Sequence, residues 1–190
     1  MQPHRGRPRD DRIERSVIAA AVEVFGERGY PDASLLEIAR RAKVGTPTLY
    51  RRWRTKAALA VDLLGRLAEL PAPDTGDIRA DLRSWLRSRV KLFSDPLFAH
   101  LLLTVSAVGV VDPAVGERVQ AVWTDAAEPM LGRLLEAQTR GELPRQVDVA
   151  LVFDAAVGSI IVAMLRSGRP RTQDDLEALV ASLLGTPARP

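Results

Sequence analysis

The sequence contains no cysteine. Disulfides, thiolate metal sites and cysteine nucleophiles are therefore excluded, and a reducing compartment is a natural setting. Histidine is scarce: His4 lies near the N-terminus, leaving His100 as the only imidazole in the body. No HExxH, no GxSxG, no phosphate-cradling glycine loop and no cluster with metal-ligand spacing occurs. Neither catalysis nor a cofactor is expected. The longest apolar stretches, near 97–111 and 155–165, are interrupted by His, Ser, Thr or Gly and fall short of the roughly 18 residues of a membrane span. The start MQPHRGRPRDDR lacks the apolar segment of a secretory signal. A cytoplasmic protein without a membrane partner is expected. Convincing period-2 strands are missing too, which points to an all-α fold.

What is present is ordinary in amount and uneven in placement. A chain of 190 residues, 46% hydrophobic and 27% charged, suits one or two globular domains with a real core. Residues 1–56 hold 13 Lys/Arg against 7 Asp/Glu, a net of +6; the remainder hold 14 against 17, a net of −3, giving the total of +3. Such a distribution suits a polyanion-binding head on a neutral or acidic body.

The stretch SLLEIARRAKVGTPTLYRRWRTK, residues 34–56, carries the chemistry. Ser34 followed by Glu37 is the capping-box pattern. Leu35, Ile38, Ala39 and Ala42 then form one apolar helical face. Gly45 can supply the backbone angle of a tight inter-helix turn, and Thr46-Pro47 opens a second short helix. Leu49 and Trp53 point inward from it, while Thr46, Thr48, Arg51 and Arg52 stay outside. Two short helices joined this way describe a helix-turn-helix. Arg51 and Arg52 are the first candidates for base or phosphate contact, because arginine can bond guanine O6 and N7 together. They cannot both face bases, so one grips the backbone. Lys43 and Thr46 flank the helix start, where free amides favour a phosphate.

These residues bring a family with them. LLEIARRAKVGTPTLYRRWRTKAAL strongly resembles the DNA-binding head of the TetR (tetracycline repressor-like) regulators. Thr48-Leu49-Tyr50, Arg51-Arg52, Trp53 and Lys56 match its pattern in order. Gly45 departs from it, standing where the family often has a serine cap. The specific match spans roughly residues 10–65. The resemblance implies that the Tyr50 hydroxyl and the Lys56 ammonium bind phosphates. It also implies a C-terminal helical bundle holding a ligand pocket, with a dimer interface made by the last two long helices.

In chain order, residues 1–11 read as a basic flexible arm in which Arg5-Gly6-Arg7-Pro8 looks like the core of a minor-groove AT-hook. A solvated tail attracting phosphates is the alternative. Helix 1 is expected from about Asp11 to Arg28, ended by Gly29 and Pro31. The head should bury Phe25, Leu36, Ile38, Val44, Leu49 and Trp53. Thr55 can cap a fourth helix running to about Leu70. Pro71–Gly76 is the clearest linker, so residues 12–70 are expected to form the DNA-binding domain and 77–190 the ligand-binding and dimerisation domain. Segments 77–94, 96–110, 113–140, 147–167 and 173–185 read as helices punctuated by Asp-Pro, Leu-Pro and Gly-Arg-Pro, giving about nine in all.

Within the second domain, Trp85, Phe93, Phe98, His100, Thr104, Trp123, Met130 and Phe153 are the bulky or polar-tipped residues available to a pocket. Few charges lie on 97–111 and 149–165, so a small, apolar effector is expected. Ala155, Ala156, Ser159, Ile160 and Ala163 form a small-residue face; Leu176, Leu179, Val180 and Leu183 form a stripe on the final helix. Paired across a twofold axis, these would make a homodimer interface; burial within their own protomer is the alternative. The reading is a homodimeric regulator, a repressor, on double-stranded palindromic DNA, released by a small molecule. An effector-independent activator or architectural protein, and a helical enzyme or scaffold keeping the head as a remnant, are the competing readings.

Overall fold

The computed structural model describes residues 7–185, with side chains from Arg12 onward. Among the described residues there are nine helices and no strand. They are α1 (Arg7–Asp32), α2 (Leu35–Ala42), α3 (Thr46–Arg52), α4 (Lys56–Ala68), α5 (Ile78–Phe93), α6 (Pro96–Val111), α7 (Pro113–Thr139), α8 (Val149–Ser167) and α9 (Gln173–Leu184). The helix starts follow from short polar side chains that accept the free amides of a first turn. Asp77 accepts from Arg79 and Ala80 N, Asp148 from Ala150 and Leu151 N. Thr172 and Asp175 complete a reciprocal capping box. Ser34 makes only half of one: its hydroxyl accepts from Glu37 N at 3.2 Å, but the Glu37 carboxylate turns to Arg40 and Arg41 instead.

Two compact units result. Of the described residues, the first holds those up to Arg66 together with Leu97–Val122; the second holds Leu67–Pro96 and those from Trp123 on. The Pro71–Gly76 linker thus lies inside the second unit, and α6 with the beginning of α7 joins the first. The linker is pinned where it stands. Asp81, wholly buried, accepts from Thr75 N at 3.0 Å and Thr75 Oγ1 at 2.7 Å. Arg133 bridges Asp81 and Asp74.

In the first unit, Val17, Ala21, Val24 and Phe25 of α1, Ile38 of α2, Leu49 of α3 and Leu59 and Leu63 of α4 are all buried, and α2 packs on both α1 and α3. Each such large side chain contributes on the order of 2 kcal/mol by burial. Leu36, expected inside, is exposed, while Leu35, expected on the apolar face, is buried. The difference is one residue, or about 100° of rotation around an α-helix. Gly29 ends the straight part of α1 with φ +72°, and a further helical turn carries through Pro31. At its other end α1 begins at Arg7, so the non-helical arm expected over residues 1–11 is helical from there on. The corner between α6 and α7 depends on two glycines. A Cβ on Gly116 would sit 2.7 Å from Gly109 O, and one on Gly109 would sit 3.0 Å from Gly116 Cα. In the second unit, α5 packs against α8 and α9, and Arg79 binds the last carbonyls of α9, Leu184 and Gly185. α8 has the length and apolar composition of a membrane-crossing helix, unlike the sequence reading, but its Val152, Phe153, Ala156 and Ile160 face is buried within this unit.

Candidate nucleic-acid interface

The turn between α2 and α3 is built on Lys43 rather than on Gly45. Lys43 takes φ +55°, donating its amide to Arg40 O at 3.2 Å, and Val44 N donates to Ala39 O at 3.0 Å. That geometry closes the end of α2 in the manner of a left-handed cap, with a non-glycine residue in a conformation glycine usually takes. Gly45 is extended at φ −61° and caps α3 through its backbone alone. Leu49 and Trp53 are buried, as their spacing implied.

Two acids, buried Glu14 and half-buried Asp62, fix the recognition helix from behind. The Trp53 indole donates to Asp62 Oδ2 of α4 at 2.6 Å, and Arg118 of α7 pairs with Asp62 Oδ1. Glu14 of α1, nearly buried, pairs with both Arg52 and Arg66. Arg52 also lies over the Trp53 ring, 5.2 Å from its centroid. The two adjacent arginines are both exposed, but Arg52 is clasped by the Glu14 carboxylate. Ile13, Thr48, Arg51, Arg52 and Trp53 enclose a hollow of about 220 Å³ on this face, of a size for a phosphate or a base edge.

Tyr50 is exposed, as are Lys43 and Gly45; Thr46 and Thr48 are half-buried. Lys56 has a different situation. Its ammonium donates to Tyr30 O at 2.5 Å, Pro31 O at 2.8 Å and Ala33 O at 2.9 Å, and it lies over the Tyr30 ring. All three of its hydrogens are thus engaged inside the head, and it staples the α1–α2 connection. Arg5 lies outside the described residues, and of Arg7 only the backbone position, in the first turn of α1, is described. On α2, Glu37 accepts from Arg40 and Arg41, and Arg41 reaches on to Glu27. These bonds hold the Glu37 carboxyl down at about 2.

Residues 17–63 match the family model described as bacterial regulatory proteins, tetR family, and residues 72–183 match that of the tetracyclin repressor-like C-terminal domain. The chain belongs to the TetR family of transcriptional regulators. Among relatives, it is 31% identical over 169 residues to the HTH-type transcriptional regulator AqdR of Rhodococcus erythropolis, covering 86% of this chain and 80% of that one. It is 29% identical over 171 residues to YdeS of Bacillus subtilis, an uncharacterized HTH-type transcriptional regulator, covering 88% and 86%. Among solved structures, the TetR family transcription regulator SCO0332 superposes with a TM-score of 0.75 at 26% identity, over 90% of this chain and 96% of that one. In this TetR-family chain, α2 and α3 are the DNA-binding helix-turn-helix.

The residues expected in a ligand pocket divide between the units. Phe98, His100 and Thr104 belong to the first, with His100 exposed. In the second, Trp85, Phe93 and Met130 are buried, while Trp123 and Phe153 line an apolar groove of about 660 Å³ between α7 and α8. The residues expected at a dimer interface divide as well. Ala156, Ile160, Ala163, Leu176 and Val180 are buried in their own protomer; Ser159, Leu179 and Leu183 are half-buried; Ala155 is exposed. The exposed apolar line on α8 is Leu151, Ala155, Val162 and Leu165, with half-buried Gly158 between them.

Sequence reasoning missed Glu14, Asp62 and Arg118. One signal pointed toward Asp62: a buried Trp needs an acceptor for its indole N–H, and a carboxylate on the next helix is the available kind.

Proposed function

We propose that this TetR-family regulator is a homodimeric repressor that places α3 of each subunit in a major groove of a palindromic operator and is released by a small molecule. The observation that carries the DNA part is the outer face of α3, where Thr48, Tyr50 and Arg51 stand clear of the core while Leu49 and Trp53 anchor the helix. Arg51 reads a base edge, guanine by its bidentate geometry. Arg52, Thr46 and Lys43 position the head on phosphates, Arg52 doing so once it exchanges Glu14 for the backbone. Repression is supported by the family of the C-terminal domain, whose description is repressor-like. An effector is supported by the α7–α8 groove, apolar in most of its lining. Dimerisation is supported by the exposed line on α8: positions 151, 155, 158, 162 and 165 recur at the alternating spacing of four and three that suits helix pairing.

Selection of bound duplexes from a random pool tests the DNA reading. The expected result is a palindrome with two half-sites about one helical turn apart. For Arg51→Ala, preference should relax at one base position per half-site, with a cost of about 1–3 kcal/mol. Recovery of no motif, or of an unchanged motif by Arg51→Ala, would contradict it.

A further inference from the structure

Within the second unit, two of the four buried donors that lack an acceptor lie together. Trp85 and Arg89, one turn apart on α5, are almost wholly inaccessible, and the guanidinium carbon lies 4.3 Å from the indole centroid. Both terminal nitrogens of Arg89 are engaged by backbone, Nη1 donating to Ala68 O at 2.7 Å and Nη2 to Ala126 O at 3.1 Å. Its Nε has no acceptor, and neither has Trp85 Nε1. Burial, with no neighbouring carboxylate to offset it, pushes the guanidinium down to about 10, so it remains charged near neutral pH. A buried, unpaired charge is costly, and a buried donor lacking an acceptor is uncommon. Two of them on stacked side chains call for a shared explanation. The pair lies behind the lining of the α7–α8 groove. Phe153 lines that groove and its ring centroid is 5.2 Å from that of Trp85; Ala127, another lining residue, follows the carbonyl that Arg89 binds.

We propose that Trp85 Nε1 and Arg89 Nε form the head-group site for an apolar monocarboxylate whose body lies in the α7–α8 groove. This rests on the ligand-responsive reading above and adds the chemical class of the ligand. One fixed positive charge and two single N–H donors on adjacent side chains match the two oxygens of a carboxylate. A phosphate dianion would call for more donors and a second cation. Trp123, Leu131 and the Phe153 ring supply apolar cover for the body. Glu128 and Asp154, exposed on the same lining, repel a second negative charge there. Phe153, touching both groove and indole, turns aside to admit the head group. The guanidinium that binds the ligand is also the one that holds Ala68, the last residue of α4.

Calorimetry on the full chain with dodecanoate and 2-naphthoate, each beside its methyl ester, tests this. The acids should bind at least tenfold more tightly than their esters. Trp85→Phe, which keeps an aromatic ring and removes the donor, should weaken the acids by about tenfold more than the esters. In the wild-type chain, one of the three indole N–H resonances should move with the acid and not with the ester. That readout holds even where the variant does not fold. Equal binding of acid and ester, or an equal effect of Trp85→Phe on both, overturns the head-group site and leaves the effector reading standing. Binding of neither acid overturns the site as well. The effector reading then fails only if no compound releases the chain from its operator.

Discussion

Glu14 decides how much of the positive charge on α3 is free to meet DNA. Its carboxylate lies between Arg52 and Arg66, so one of the two cations beside the recognition face is neutralised from within the protein. Glu14→Gln should therefore raise affinity for operator and unrelated duplex alike. The slope of log affinity against log salt should steepen by about one, the mark of an added phosphate contact. Glu23→Gln, an equal charge change on an exposed part of α1, serves as control. Matching behaviour of the two variants would show that net charge, not release of Arg52, is responsible. Glu37 makes a second residue-scale prediction. Its folded carboxyl, held at about 2 by Arg40 and Arg41, lies below the ordinary value of 4.5. The unfolded chain thus binds the proton more readily, and the stabilisation, fully present above pH 4.5, is lost as pH falls toward 2. Because the ion pairs lie on the surface, the effect should be modest. Acid unfolding of Glu37→Gln should be shallower across that window; identical profiles would contradict the assignment.

At the scale of elements, the α6–α7 corner holds the tightest glycine contact among the described residues. With a Cβ on Gly116 directed at the Gly109 carbonyl, Gly116→Ala should destabilise by about 1–3 kcal/mol through overpacking, read by urea unfolding. A gain in stability, as expected of Ala for Gly in an unconstrained helix, would show that the contact is slack. The limits of these elements were legible in the sequence because their signals are local. Asp77 and Thr55 cap where they stand, Gly29 breaks α1, and Pro96 and Pro113 open helices. Leu36 shows that apolar character alone does not place a side chain inside: the period that puts Leu35, Ile38 and Ala39 on the buried face leaves Leu36, one position on, exposed. The partners of Arg52, Lys56 and Asp62 were not legible either. Their contacts join residues far apart in sequence, and a lysine that staples three carbonyls reads the same in sequence as one that grips a phosphate. The α3 face and its anchors were legible because the periodicity of a short helix and a matching motif coincide there.

For the whole molecule, the proposed dimer turns on the outer line of α8. Val162→Glu places a charge on an exposed apolar position and should leave the protomer folded while converting it to a monomer in sedimentation. Operator affinity should fall by orders of magnitude, since two half-sites then bind independently. Retention of a dimer by a folded Val162→Glu chain would place the interface elsewhere. Ile160, buried within its own protomer, should instead unfold the chain when replaced by Glu. Whether the head reads sequence is decided by fluorescence anisotropy with duplex from just upstream of the chain's own coding region. At about physiological salt, with unrelated duplex as control, a preference of the order of 10³ or more is the predicted result. Equal, weak and salt-sensitive binding to both that duplex and every sequence recovered by selection would contradict it.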